Sequence, residues 1–209
     1  MMGPMMIAII PVKERSRRFP GKNFSPFMGT NLILHAVNKL LQIPNIETIY
    51  ISTDVPDKVE AAITALGSGK ARVIIGRRPA YLAEDTTPSD AVVSHVLDVT
   101  KREGVFVYTQ ITTPNWTVPE LKRALDLFRN KAKWHDEDDK GFGSLVSVGP
   151  GYRPNGAFYI TTTALFKEAG NKLYHPKTHL FTMPTAHSVD INHEWDLRIA
   201  EALARQDYT

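Results

Sequence analysis

The stretch Met6-Ile7-Ala8-Ile9-Ile10-Pro11-Val12-Lys13-Glu14-Arg15 changes from apolar to charged within ten residues, and it points to the fold class. The uninterrupted apolar run at 6–10 is typical of a strand that is buried on both faces. Five of the 25 basic residues then fall within 13–22, in a segment that contains Pro20 and Gly21 and is therefore predicted to be a loop. Open α/β sheets bind anionic ligands at such a place, after the first strand. A merely solvated charge run is the alternative.

Composition favours a single globular domain that spans residues 1–209 and does not depend on disulfide bonds. The chain has 43% hydrophobic and 22% charged residues, no cysteine and a net charge of +3. This balance excludes wholesale disorder, and the small positive excess does not indicate a nucleic-acid partner. No apolar run reaches the roughly 20 residues that cross a membrane, so no membrane partner is expected. The lack of cysteine excludes thiolate chemistry and is consistent with a cytoplasmic location.

Hydrophobic periodicity predicts helices that alternate with strands. Helices are expected at 32–41 after a Thr30 or Asn31 cap, at 56–66, after a Ser89 cap, after a capping box at 117–120, at 163–169 and after an Asn192 cap. Strands are expected at 6–10, 48–53, 72–75, 105–110, 144–148, 156–160 and 180–183, with another ending at 189–191. The alternation predicts a three-layer α/β fold with a mostly parallel sheet. The charged segment 135–140 is expected to be a solvated loop.

Polar residues collect at the expected carboxyl ends of the strands. Besides the basic loop, they are Ser52-Thr53-Asp54, Gln110 with Thr112 and Thr113, and Asp190 with Asn192. Because these ends meet at one rim of an open sheet, cations and acidic groups would lie together there. That combination suits a phosphate ligand with a divalent metal, although any one of these residues could simply be a cap or a turn. The chain has neither a P-loop nor a Rossmann glycine motif, so side-chain cations and loop amides would hold the phosphate.

Six blocks of sequence, in order, resemble the acylneuraminate (CMP-sialic acid) cytidylyltransferases, with the KDO cytidylyltransferases as near relatives. The blocks are Ile9-Ile10-Pro11 with Ser16, Pro20, Lys22 and Asn23; Ser52-Thr53-Asp54; Arg78-Pro79-Ala80 with Leu82, Asp85 and Thr86; 110–114; 153–157 with Tyr159 and Ile160; and 190–197. They span nearly the whole chain. The resemblance implies a Rossmann-like nucleotidyltransferase fold.

The resemblance also implies an activity and a set of site residues. It implies magnesium-dependent transfer of CMP from CTP to the anomeric hydroxyl of a sialic-acid-like 2-keto-3-deoxy sugar acid, with release of pyrophosphate. The nucleotide would be bound by Lys13, Ser16, Arg17, Lys22, Asn23, Arg78 and Ser89. The sugar would be bound by Gln110, Asn155 and Tyr159, and the metal by Asp190 and Asn192. Within this set, Lys22, Arg17 and Asp190 would be the catalytic residues.

The chain departs from the family pattern at four places. Lys13 stands where arginine is usual, Asn192 replaces the second aspartate of the metal pair, and the segment 110–116 lacks the usual arginine. Near 147–152 the chain is too short for the arm through which the family dimerises, so a homodimer would have to form by another face. Two alternatives therefore stay open: a catalytically impaired nucleotide-binding homologue, and a nucleotidyltransferase for another sugar or base.

Overall fold

The computed structural model describes residues 5–131, 145–174 and 178–206, and the charged segment predicted at 135–140 lies outside them. Within these ranges the helices are α1 Leu32–Leu41, α2 Pro56–Ala62, α3 Ser89–Thr100, α4 Val118–Lys131, α5 Thr163–Glu168 and α6 Glu194–Gln206. The strands are β1 Met6–Val12, β2 Pro26–Phe27, β3 Thr30–Asn31, β4 Ile46–Thr53, β5 Val73–Arg77, β6 Val105–Tyr108, β7 Leu145–Val148, β8 Pro154–Thr162 and β9 His179–Thr182.

Seven of these strands form one sheet in the order β5-β4-β1-β6-β8-β7-β9. β1 pairs in parallel with β4 and with β6, and β4 pairs in parallel with β5. β8 is antiparallel to both β6 and β7, whereas β7 and β9 are parallel, so β8 is the one reversed strand among the seven described. β2 and β3 form a separate antiparallel pair. The predicted mostly parallel sheet is confirmed.

Helices cover both faces of the sheet, and successive residues of β1 point to opposite layers. Ala8 and Ile10 belong to a core cluster that includes residues of α1, α2, α4 and α6. Ile7 and Ile9 belong to a second cluster with residues of α3 and with Phe166 of α5. Because side chains alternate along a strand, a strand covered on both faces must be apolar throughout. This explains the uninterrupted run at 6–10 and confirms the three layers.

The predicted helix starts are correct where a side chain satisfies a free amide. Asn31 Oδ1 accepts from the amide of Leu34 at 2.9 Å. In the capping box before α4, Glu120 Oε2 accepts from the amide of Thr117 at 2.7 Å, and the amide of Glu120 donates back to Thr117 Oγ1 at 3.3 Å. These bonds stabilise the first turn, whose amides have no partner within the helix.

Four local predictions are wrong. The helix expected at 56–66 ends at Ala62 and is followed by 3-10 turns over 64–72. The segment 189–191 has no strand structure; a single amide bond, from Ile191 to the Thr112 carbonyl at 2.8 Å, ties it to the loop after β6. Asn192 does not cap α6, because the helix begins two residues later, at Glu194, and the Asn192 side chain is bonded to Asp190. The Asp196 carboxylate accepts from the amides of Asn192 at 2.8 Å and His193 at 2.7 Å, ahead of the helix. Ser89 is the first residue of α3, not its cap.

Across the described ranges, no helix combines the length and the apolar character that spanning a membrane requires.

Candidate active site

The carboxyl ends of β1, β4, β5 and β6 meet at one edge of the sheet, and predicted site residues line a cavity there. The cavity has a volume of about 180 Å³. Its walls include six predicted residues: Lys13, Lys22, Asn23, Arg78, Ser89 and Gln110. An open cleft, which shares Glu84 with the cavity, is lined by Ser16 and Arg17. The structure thus brings together residues that are as far as 97 positions apart in the chain, from Lys13 to Gln110.

Two hydrogen bonds hold the basic loop in place. The Asn23 side chain, which is buried, donates to the carbonyl of Lys13 at 2.7 Å across the loop. Lys22 Nζ donates to the carbonyl of Ile191 at 2.7 Å and thereby joins the loop to the Asp190 segment. Burial lowers the pKa of the Lys22 ammonium, and the nearby Asp190 carboxylate opposes that shift. Lys22 is therefore a partly desolvated cation, whose attraction for a phosphate is stronger than that of a fully exposed lysine.

Two cations of the loop converge on one carboxylate. Asp85 forms ion pairs with Lys13 and with Arg17, whose Nε lies 3.4 Å from Asp85 Oδ2. The hydrogen bond from Lys13 lowers the pKa of Asp85, and the charge of Arg17 adds to the effect. Asp85 therefore lies where a phosphate group could take its place between the same two cations. Sequence reasoning did not identify this role, although Asp85 was part of a matching block.

Arg78 supplies a buried cation to the cavity wall. It directly follows β5, its amide donates to the Thr53 carbonyl at 2.8 Å, and its side chain is only 4% exposed. In the described part of the chain, its Nε–H has no hydrogen-bond partner. Burial lowers the pKa of the guanidinium, whereas Asp54 raises it. Since buried polar groups are nearly always paired, this unsatisfied donor beside a cavity indicates a ligand with acceptor atoms.

Tyr108, which sequence reasoning missed, connects two predicted site residues. Its hydroxyl donates to Ser89 Oγ at 2.7 Å, and Gln110 Nε2 lies 3.4 Å from the tyrosine oxygen. Ser89 Oγ is also within 3.5 Å of Gln110 Nε2. The apolar run of β6 concealed this tyrosine, because its ring belongs to the core while its hydroxyl reaches the cavity. Its place at the end of a strand, two residues before Gln110, was the available signal.

The predicted sugar-binding residues on β8 have partners within the protein. Asn155 Oδ1 accepts from Ser147 Oγ at 2.6 Å and from the amide of Ala157 at 3.1 Å, while Nδ2 donates to Ser188 Oγ at 3.0 Å. Asn155 thus braces β7 and the segment around Ser188, and it does not line the described cavity. Tyr159 packs edge-on against Tyr108, with ring centroids 5.7 Å apart, and burial raises its pKa to about 12.

Asp190 and Asn192 lie in contact at the rim of the site. Asn192 Nδ2 donates to Asp190 Oδ2 at 2.8 Å, and Asp190 is exposed. The described residues contain no group of three His, Cys, Asp or Glu side chains that could hold a metal by themselves. A carboxylate and an amide oxygen nevertheless fit Mg²⁺, which prefers oxygen ligands and completes its shell with water and substrate phosphates. The metal site stays a prediction.

Comparison with known proteins relates the whole chain to enzymes that use CTP. The family described as cytidylyltransferase matches residues 7–137. The pseudaminic acid cytidylyltransferase of Campylobacter jejuni is 23% identical over 97% of both chains, and the CMP-N,N'-diacetyllegionaminic acid synthase of Legionella pneumophila is 25% identical over 95% of both. The solved structure of a CMP:2-keto-3-deoxy-manno-octonic acid synthetase complexed with CTP superposes with a TM-score of 0.69 at 14% identity and covers 97% of this chain and 99% of that one. This likeness confirms the Rossmann-like nucleotidyltransferase fold. The matched range 7–137 is more than half of the chain and includes all the residues that line the cavity, so this chain belongs to the cytidylyltransferases.

Proposed function

We propose that the protein transfers CMP from CTP to the anomeric hydroxyl of a sialic-acid-like 2-keto-3-deoxy sugar acid and releases pyrophosphate. The observation that supports this most directly is the cavity. Six residues that the resemblance assigns to CTP or to the sugar acid line it together at the strand ends. Two relatives that align along nearly their full length are named for the activation of pseudaminic acid and N,N'-diacetyllegionaminic acid. Both names agree with an acidic sugar as the acceptor.

The charges of the site suit displacement at the α-phosphate. The anomeric oxygen attacks the α-phosphorus while the bond to the leaving pyrophosphate oxygen breaks, so negative charge accumulates on the triphosphate. Arg17 and Lys22 face that charge from the basic loop, and Lys13 adds a third cation. Such a reaction depends on charge neutralisation and in-line positioning more than on a covalent nucleophile. The role of these residues is therefore to bind and orient the triphosphate.

We further propose that Asp190 and Asn192 hold magnesium. The ion would neutralise additional phosphate charge when it is bound. The hydrogen bond from Asn192 Nδ2 to Asp190 leaves the amide oxygen of Asn192 as its remaining ligand atom. Replacing a second carboxylate by an amide removes one negative charge, so we expect a weak metal site.

The sugar acid would lie beyond Gln110, on the β6 and β8 side of the rim. Tyr159 is close to this place through its contact with Tyr108, whereas the Asn155 amide would have to exchange its present partners to reach a ligand. Residues 149–153 alone connect β7 to β8, so any oligomer would use a surface other than an arm inserted there.

A screen of pyrophosphate release tests the proposal. CTP, UTP, GTP, ATP and dTTP are each combined with Mg²⁺ and a panel of nonulosonic acids, and we expect release with CTP and one or a few of the sugars. Arg17→Ala should raise the apparent KM for CTP and leave the melting temperature unchanged, whereas Arg198→Ala, which removes an exposed arginine of α6, should change neither. CTP binding without release from any sugar would favour the catalytically impaired homologue, a possibility that Asn192 motivates.

A further inference from the structure

We propose that Tyr108 is a positioning residue for nucleotide selection: its hydroxyl makes Ser89 a hydrogen-bond donor toward the cavity, so that cytosine is accepted and uracil is rejected. The inference rests on the proposed function, because it assumes that the base of a nucleoside triphosphate occupies this cavity. It assigns a task to Tyr108, whose buried hydroxyl takes no part in the proposed chemistry.

The hydrogen bonds around Ser89 leave only its hydroxyl proton free to bond. A serine oxygen accepts twice and donates once. Tyr108 Oη donates to it at 2.7 Å, and Gln110 Nε2 approaches it at 3.5 Å. With both acceptor positions occupied, only the hydroxyl proton of Ser89 remains, and the described residues offer no acceptor for it. Ser89 lines the cavity, so this proton is available to a ligand there.

Tyr108 is well suited to keep the Ser89 hydroxyl proton directed at the cavity. Its side chain is 1% exposed, and its ring is held by core residues and by Tyr159 at a centroid distance of 5.7 Å. Burial raises the pKa of its hydroxyl, which therefore stays protonated at neutral pH and remains a donor. Gln110 Nε2 supplies a proton to the tyrosine oxygen at 3.4 Å. The tyrosine proton is thereby directed to Ser89.

A second donor stands on the same wall. Arg78 can only donate, it is 4% exposed, and its Nε–H has no partner in the described part of the chain. Arg78 and Ser89 together therefore offer donors, with no acceptor of their own, to whatever enters. Cytosine presents adjacent acceptors at O2 and N3, whereas uracil presents an N3–H donor beside its O2. Uracil would leave two buried donors facing each other, and unpaired buried donors are costly.

The position of this wall along the sheet favours the base. Arg78 follows β5, which is the far edge of the sheet from β8, and the basic loop follows β1 between them. Arg17 at the open cleft, with Lys13 and Lys22 on the β1 side of the cavity, suits the phosphates, and Gln110, on the β6 side of the cavity, marks the sugar end. The base, which is flat and uncharged, would then occupy the cavity, which is narrower and more buried than the open cleft.

Calorimetric titration with CTP and with UTP, each with Mg²⁺, tests the role of Tyr108. The wild-type protein should prefer CTP by at least about tenfold. Tyr108→Phe keeps the ring and removes only the hydroxyl, and it should reduce the ratio of CTP to UTP affinity roughly fivefold. Tyr50→Phe is the matched control, because Tyr50 is another buried tyrosine, 5% exposed, on β4. It should keep the wild-type ratio.

A double variant shows whether Tyr108 acts through Ser89. Ser89→Ala should reduce the same ratio, and adding Tyr108→Phe to it should cause no further loss, because the residue that Tyr108 orients is already gone. A fully additive loss, or a wild-type ratio in folded Tyr108→Phe, would overturn the inference while leaving CTP binding intact. A wild-type protein that does not prefer CTP to UTP would overturn the proposed function itself.

Discussion

Replacing Gly156 by alanine should damage both the stability and the active site, for two separable reasons. Gly156 is on β8 with φ = 78°, a left-handed conformation that side chains other than glycine rarely adopt. A Cβ at this position would lie 2.7 Å from Gln110 Oε1 and 3.2 Å from Thr113 Oγ1. The substitution therefore adds backbone strain and pushes a predicted sugar-binding side chain away from the cavity wall.

The two costs can be estimated from a matched glycine. Gly170, after α5, has φ = 69° and nothing within 4 Å of the position its Cβ would take, so Gly170→Ala carries only the backbone cost of about 1–2 kcal/mol. Displacing Gln110 loses its hydrogen bonds at 3.4 and 3.5 Å, for about 1 kcal/mol more. For a chain of this size, we expect melting temperatures lower by roughly 4 °C for Gly170→Ala and roughly 7 °C for Gly156→Ala.

Thermal melts and pyrophosphate release, with the sugar acid that the screen identifies, measure the two effects. Gly170→Ala should keep the wild-type kcat/KM, and Gly156→Ala should lose at least about tenfold, which corresponds to about 1.4 kcal/mol. In the Gly156→Ala background, Gln110→Ala should restore part of the lost stability, because it removes the crowded side chain, and it should not restore activity. Equal melting temperatures and equal activities for the two glycine variants would show that contact with Gln110 adds no cost at Gly156.

Three further predictions concern the metal, the loop cations and the pH dependence of stability. Asn192→Asp should lower the Mg²⁺ concentration that gives half-maximal activity; an unchanged or higher requirement would argue against a metal ligand there. Asp85→Asn frees the two cations that it pairs with, and should raise the CTP affinity in titration by roughly two- to fivefold at low salt; weaker binding would mean that Asp85 orients those cations for the phosphates. Burial, helped by the neighbouring Lys39, lowers the pKa of His35 from 6.5 to about 4, so its contribution to stability is present above pH 6.5 and is lost as the pH falls toward 4, by up to about 3 kcal/mol. Chemical denaturation at pH 7 and pH 4.5 should show a smaller acid loss for His35→Gln than for the wild type, and equal losses would contradict this.

Local patterns along the chain were sufficient for the layered fold and for placing several predicted site residues at one edge of the sheet. The apolar run at 6–10 and the spacing of the helices predict a sheet with helices on both faces, because only burial on both sides permits such a run. The capping box at 117–120 and the Asn31 cap are local hydrogen-bonding patterns, and both formed as predicted. The sequence also predicted that the basic loop and Arg78 lie close together, because the carboxyl ends of parallel strands share one edge of the sheet.

The errors arose where hydrogen bonds of the folded chain, which residue types alone do not reveal, decide the local backbone structure. The segment 189–191 reads as a strand, but after β9 it lies against the loops that follow β6 and β1, where Thr112 and Lys22 hydrogen-bond to Ile191. Asn192 has the composition of a cap, but its side chain binds Asp190, and the Asp196 carboxylate accepts from the amides of Asn192 and His193 ahead of the helix. A pattern of residue types cannot show which hydrogen-bond partner each polar side chain takes in the folded chain.

Residue patterns along the chain are therefore enough for the fold class, the cationic loop after the first strand and the family. Tertiary structure alone decided which groups are left unpaired around the cavity. Asp85 is drawn to Lys13 by charge across 72 positions of chain, and Tyr108 reaches Ser89 only because α3 packs against the sheet beside β6. Hydrogen bonds and ion pairs depend on distances of a few tenths of an ångström, and packing of the whole chain sets those distances.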